Sequence, residues 1–188
     1  MSLVISEYIM IALDTLIKEN NKRDLGKLLA EPNEYIQRDW INKSQDKFSV
    51  LRRQDFFECI DDINGGGFDL ITTDKVLTIQ SKFRGSTMHM EQTRRASKKN
   101  INAGLINGHV RYSIGESDVY IFTKPNDDYK NIDNWTFIAI PESYLEDPEH
   151  VGYLYAKVPD NIINMFKDKT IETLLNCYED KKIKLGLQ

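Results

Sequence analysis

Two hydrophobic periods run along this chain, and the change from one to the other marks its elements. Leu3, Val4, Ile5, Ile9, Leu13, Leu16 and Ile17 recur at helical spacing over residues 3–19. A second helix is expected over 23–30, with Pro32 as its breaker, and a third from about Asn33. Tyr35, Ile36, Trp40 and Ile41 fall on one face of that third helix. Within 46–64, FSVLRR suits a strand, and QDFFECIDDI suits a helix or a further strand. Three glycines at 65–67 follow, and then the period shortens to two. GFDLITTDKVLTIQSKFRG, at 67–85, reads as two short strands around a TTDK turn. STMHMEQTRRASKKN (86–100) reads as a helix capped by Ser86 or Thr87. SDVYIFTK (117–124) and WTFIAI (135–140) are strands, and Pro141 then opens a short helix, PESYL. GYLYAKV (152–158) is expected to be another strand and TIETLLNCYEDKK (170–182) a C-terminal helix.

This order predicts a mixed α/β (α+β) fold with one central mixed β-sheet flanked by helices. The 188 residues suit a single domain, with residues 1–30 as an N-terminal helical extension, a core over roughly 31–140, and C-terminal helices and a strand over 141–188. Hydrophobic residues at 40% and charged residues at 29% are ordinary for a soluble globular chain. No apolar run reaches the roughly 20 residues that span a bilayer, so no membrane partner is expected. The apolar start carries Glu7 and Asp14 and lacks a basic flank, so it reads as an amphipathic helix and not a signal peptide. Cys59 and Cys177 lie far apart, and His89, His109 and His150 show no zinc spacing. Two buried thiols in a reducing, cytoplasmic setting is the simplest reading.

Charge alters the picture locally. The chain is -4 overall, which by itself argues against nucleic acid. Between Lys82 and Lys99, however, Lys82, Arg84, Arg94, Arg95, Lys98 and Lys99 face only Glu91, so the segment is +5 and the rest of the chain -9. A basic stripe on an acidic body can be an electrostatic footprint for a polyanion, or a solvated helix face. On a helix, Arg94 with Lys98 and Arg95 with Lys99 would form two basic ridges four residues apart.

The hairpin carries the candidate chemistry. Alternation puts Val76, Thr78, Gln80 and Lys82 on one face and Leu77, Ile79, Ser81 and Phe83 on the other. Asp69 points away from Phe68 and Leu70, so it can meet Gln80 and Lys82 across the pair. An acid, an oxygen-bearing side chain and a lysine held on adjacent strands suit phosphodiester hydrolysis. That reaction needs a hard cation on oxygen ligands and a fixed positive group near the attacking water. A cross-strand ion pair on a half-exposed sheet is the structural alternative for Asp69 and Lys82. Asp74 reads as a turn residue. Gly65, Gly66 and Gly67 lack the GK[ST] of a P-loop and read as a turn into the strand.

G-F-D, ten residues and then Q-x-K resembles the pattern of the PD-(D/E)xK nuclease superfamily, which includes restriction endonucleases and repair nucleases. The resemblance implies a restriction-endonuclease-like core of helix, three strands, helix and strand. It makes Asp69 and Gln80 metal-site residues, the Ser81 backbone carbonyl a further ligand, and Lys82 the lysine that assists the attacking water. The implied cofactor is Mg²⁺, with Mn²⁺ as a substitute. Two departures stand out. Phe68 replaces the proline, and Gln80 replaces the second acid, a change that some relatives of the Mrr type share. A helper acid is then expected: Glu34 on the helix before the first core strand, or Glu58 as the alternative. The resemblance further implies double-stranded DNA as partner, with Arg84, Arg94, Arg95, Lys98 and Lys99 on its phosphates. The expectation is an Mg²⁺-dependent DNA endonuclease, a type II restriction enzyme or its catalytic subunit, acting as a homodimer or with a second nuclease subunit. The alternative is a catalytically inactive DNA-binding module on the same fold.

Overall fold

The computed structural model of the chain describes residues 15, 17–19, 22–56, 68–83, 93–95, 109–111, 114–125 and 131–187. The helix expected over 3–19 lies outside these residues except at its last turn, as do Glu58, Cys59, the three glycines, Arg84, His89, Lys98 and Lys99.

Helix α1 (Lys22–Ser44) leads into β1 (Val50–Arg52) and a single helical turn, α2 (Arg53–Phe56). β2 (Leu70–Thr72) and β3 (Thr78–Phe83) form the expected hairpin. β4 (Thr93–Arg95) pairs with β5 (His109–Arg111) as a separate antiparallel ribbon. β6 (Val119–Lys124) and β7 (Thr136–Pro141) complete the main sheet, and α3 (Asp160–Phe166) and α4 (Thr170–Leu185) follow. The sheet order is β1-β2-β3-β6-β7. Its first three strands are an antiparallel meander, β6 is parallel to β3, and β7 is antiparallel to β6. The protein is therefore of mixed α/β class, with a five-stranded mixed sheet between helices.

The sheet buries both faces. On one, Val50, Leu70, Ile79, Val119, Ile121, Phe137 and Ala139 pack with Leu29, Ile36 and Ile41 of α1 and with Leu174 and Tyr178 of α4. On the other, Tyr120, Phe122, Ile138 and Ile140 are covered by Leu145, Leu154 and Val158, with Ile162, Ile163 and Phe166 of α3 at the margin. Buried on both sides, β6 and β7 read as continuous apolar runs.

Three expectations change. Pro32 does not end a helix: α1 runs through it. A proline inside a helix costs about 3 kcal/mol. Leu29 before it, and Ile36 and Ile41 after it, are fully or almost fully buried in one core. At about 1.5–3 kcal/mol each, that burial outweighs the defect. Residues 93–95 are not helical but form β4, with Arg94 opposite Val110 and Arg95 opposite His109. Pairing with β5 overrides the good helix propensity of the two arginines and decides the local structure. Segment 152–158 is not a strand. Gly152 turns at φ 87, and Leu154 joins Glu146 by an isolated bridge. Leu154 and Val158 act instead as apolar plugs on the second face.

Candidate active site

Local bonds shape the hairpin turn. Thr72 Oγ1 accepts from the N–H groups of Val76 and Leu77 at 3.0 Å, and Lys75 turns at φ 64. Asp74 Oδ1 accepts from Val76 N, the turn role expected of it, and Asp74 Oδ2 accepts from the Tyr178 hydroxyl of α4 at 2.5 Å. The hairpin tip is thus tied to the C-terminal helix.

One row of side chains crosses the sheet just beyond the start of β2. Arg53 N donates to Asp69 O at 2.8 Å, continuing the β1–β2 register, whereas Asp69 N donates to Ile79 O at 2.9 Å, one residue out of the β2–β3 register, so the chain bulges at Asp69. Gln80 stands beside Tyr120 on one face of β3 and β6, Asp69 meets Gln80 through its side chain, and Arg53 adjoins Asp69 through the backbone bond. Lys82 lies two residues along β3 on that same face, beside Phe122. The Asp69 carboxylate turns onto β3. Its Oδ2 accepts from the backbone N–H of Ser81 at 2.8 Å and from the Gln80 side-chain amide. It thereby takes the place of a ladder partner that β2 is too short to supply.

Gln80 and Lys82 are buried, at 6% and 8% exposure. Burial pushes the Asp69 carboxyl above its usual range, and the charges of Lys82 and Arg53 and the Ser81 N–H pull it back only in part. An acid in that condition gains from any further positive charge brought to it.

The opposite face carries the support. Asn33 Nδ2 of α1 donates to Ser81 Oγ at 2.8 Å, so the residue between Gln80 and Lys82 is gripped from behind. One turn on, Gln37 Nε2 donates to Thr123 Oγ1 at 2.8 Å and to Ile121 O at 3.1 Å. Glu34 accepts from Arg52 Nε at 3.2 Å, and the Arg52 guanidinium lies 3.8 Å from the centre of the Tyr35 ring. Arg52 is almost wholly buried on the α1 face, beside Leu70 and Ile79. The described bonds of Glu34 therefore serve this ion pair, on the far side of the sheet from Asp69.

Sequence reading missed Arg53. Its guanidinium stands over the Phe68 ring, 5.2 Å from its centre, and its charge acts on Asp69. The signal was present in LRRQD, where alternation sends two adjacent arginines to opposite faces.

Magnesium binds through one or two carboxylates and keeps several of its waters. Among the described residues no three His, Cys, Asp or Glu side chains converge. Asp69 supplies one carboxylate, and Gln80 supplies an amide oxygen once its –NH₂ turns from Asp69, so the residues fit such an ion with few protein ligands. Compared with known protein families, curated proteins and solved structures, the chain matches none.

Proposed function

We propose that this chain is a metal-dependent DNA endonuclease, a restriction-type enzyme or the catalytic subunit of one, acting in the cytoplasm. The observation that carries the reading is the meeting of Asp69 and Gln80 on the face that Lys82 shares, at the hairpin of a three-stranded meander followed by a parallel strand. Asp69 and the Gln80 amide oxygen would hold Mg²⁺ or Mn²⁺, with the Ser81 carbonyl as a further ligand. Glu34 pairs with Arg52 across the sheet from Asp69, which leaves Glu58, outside the described residues, as the helper acid. The ion, when bound, supplies an activated water and neutralises the phosphate. Lys82, buried and acting by its charge on this acid, would orient a water and stabilise charge developing on the phosphoryl oxygens. An ion would need Asp69 ionised, and burial raises that carboxyl above its usual range, so affinity should rise with pH. Arg84, Arg94, Arg95, Lys98 and Lys99 would touch the phosphates of double-stranded DNA. Arg94 and Arg95 sit on a β-ribbon and not on a helix, and ribbons also serve as DNA-binding elements. One such site cuts one strand, so double-strand cleavage calls for a homodimer or a second nuclease subunit.

A second reading, a DNA-binding module without catalysis, is favoured by one detail: the Gln80 amide already satisfies Asp69. Calorimetry with Mg²⁺ and Mn²⁺ separates the two. The enzyme reading expects binding by the native chain, loss of binding in Asp69→Ala, and retained or tighter binding in Gln80→Glu, where a carboxylate of equal reach adds charge at the ion. A native chain that binds neither ion favours the inactive module.

A further inference from the structure

We propose that the outward face of α4 is the docking surface for a second copy of this chain, and that two copies pair antiparallel along this helix about a two-fold axis. The geometry stands apart from the nuclease reading. Its use, one cut in each strand by two copies, rests on that reading.

Helix α4 has two sides. Leu174 and Tyr178 turn into the core. Lys169, Glu172, Asn176, Asp180 and Ile183 follow at spacings of three and four, which sets them in one row, and all five are exposed. Lys184 is exposed beside the end of this row. The row borders a cleft of about 570 Å³ whose other wall includes Pro141, Tyr144, Met165 and Phe166. Tyr144 and Met165 are exposed there, and aromatic and methionine side chains are enriched at protein contacts.

The row is complementary to itself. A two-fold contact sets residue i against j and j against i. In an antiparallel pair, the register that brings Glu172 to Lys184 of the second copy also brings Asn176 to Asp180 and Lys169 to Leu187. Symmetry repeats each contact. Two ion pairs and two amide–carboxylate hydrogen bonds then form together, from side chains that a single chain leaves exposed. Lys181 shows the contrast, since Asp118 of its own chain holds it at 2.5 Å.

The same register carries the helix end to the cleft. Ile183 and Leu187 are 61% and 48% exposed. Gly186 turns at φ 69 and Leu187 N donates to Lys182 O at 3.0 Å, so Leu187 is fixed at the helix end. The 16 residues of α4 span about 24 Å, too far for this end to cover Met165 and Tyr144 of its own chain. Antiparallel pairing sets it beside Met165 and Tyr144 of the copy, and apolar surface leaves water at both ends of the contact.

Sedimentation velocity over a concentration series tests the surface. The native chain should dimerise at concentrations up to about 200 μM, well above a micromolar dissociation constant. Glu172→Lys and Lys184→Glu should each weaken the dimer by about tenfold, because each sets like charges opposite one another twice. An equimolar mixture of the two variants should dimerise again, since opposite charges then meet in both pairs. Ile183→Asp, at an exposed position, should leave a folded monomer. A native chain that stays monomeric throughout overturns the proposal. So do variants that dimerise as the native chain does, or a mixture that dimerises no better than either variant alone. Plasmid cleavage in Mg²⁺ is scored separately: a dimer that leaves plasmid intact counts against the nuclease reading alone, and a strict monomer that nicks it overturns the surface alone.

Discussion

Asp69 carries the tension of this molecule in a single side chain. Its carboxyl is held above the ordinary range mainly by burial, and Lys82, the Ser81 N–H, Arg53 and the Gln80 amide offset that only in part. A carboxyl whose folded-state value is raised favours folding while protonated. Its contribution is full below the unfolded value of 3.8 and is lost as pH rises through the higher folded value. Asp69→Asn removes this dependence and keeps an oxygen for the Ser81 N–H. The native chain should therefore lose stability relative to Asp69→Asn as pH rises from about 4 toward neutrality, read by urea denaturation at several pH values without divalent metal. A native chain that gains on the variant over that range would mean the carboxylate is better solvated than its burial implies. The same residue explains what was legible at this scale. Alternation brings Gln80 and Lys82 to one face of β3, and the Asp69 carboxylate then reaches across to Gln80 and the Ser81 N–H. Arg53 was legible only as the arginine opposite in facing to Arg52, and not as a neighbour of Asp69, because that contact depends on the pairing of β1 with β2.

Among the elements, α1 and β3 form the working pair. β3 presents Gln80 and Lys82 on one side, and on the other Ser81 takes a bond from Asn33. Gln37 fastens the same helix to β6 through two bonds, and it is fully buried. Gln37→Ala would leave Thr123 Oγ1 and Ile121 O without these donors and open a void. It should lower stability by about 2–4 kcal/mol, measured by chemical denaturation. A loss under 1 kcal/mol would mean that water replaces the amide at no cost. The run of α1 through Pro32 was hidden from sequence for a physical reason. A proline reports its local cost, whereas the burial of Leu29, Ile36 and Ile41 that offsets it depends on a sheet built from residues far along the chain. The same holds for β4, whose strand state depends on β5. The strand β6, by contrast, lies within the segment expected from its apolar run, and β7 is shifted from its segment by one residue, to Pro141, because both faces of the sheet are covered there.

At the scale of the whole molecule, one sheet separates two cores, and the C-terminal helix locks the arrangement. α4 begins with the Thr170 hydroxyl on Phe137 O, reaches the hairpin turn through Tyr178 and Asp74, and holds Asp118 through Lys181 at 2.5 Å. Asp118 in turn accepts from Thr78 N and Oγ1 at the start of β3. The bond to Asp74, with burial, pushes the Tyr178 phenol up to about 12, so this lock stays protonated through the neutral range. Among the described residues no helix is long and apolar enough to cross a membrane. The class of fold was legible as a whole because helix and strand periods alternate cleanly. The ring of bonds around α4 was not, since it joins residues up to 104 positions apart. The central claim is that the rigid hairpin held by this frame hydrolyses phosphodiesters. Supercoiled plasmid incubated with the native chain and with Lys82→Ala, in Mg²⁺ and in EDTA, tests it most directly. The account predicts relaxed or linear plasmid from the native chain in Mg²⁺ alone, with cleavage lost in Lys82→Ala while DNA binding is retained. Plasmid cut equally by Lys82→Ala, or left intact by a native chain that binds Mg²⁺, would contradict it.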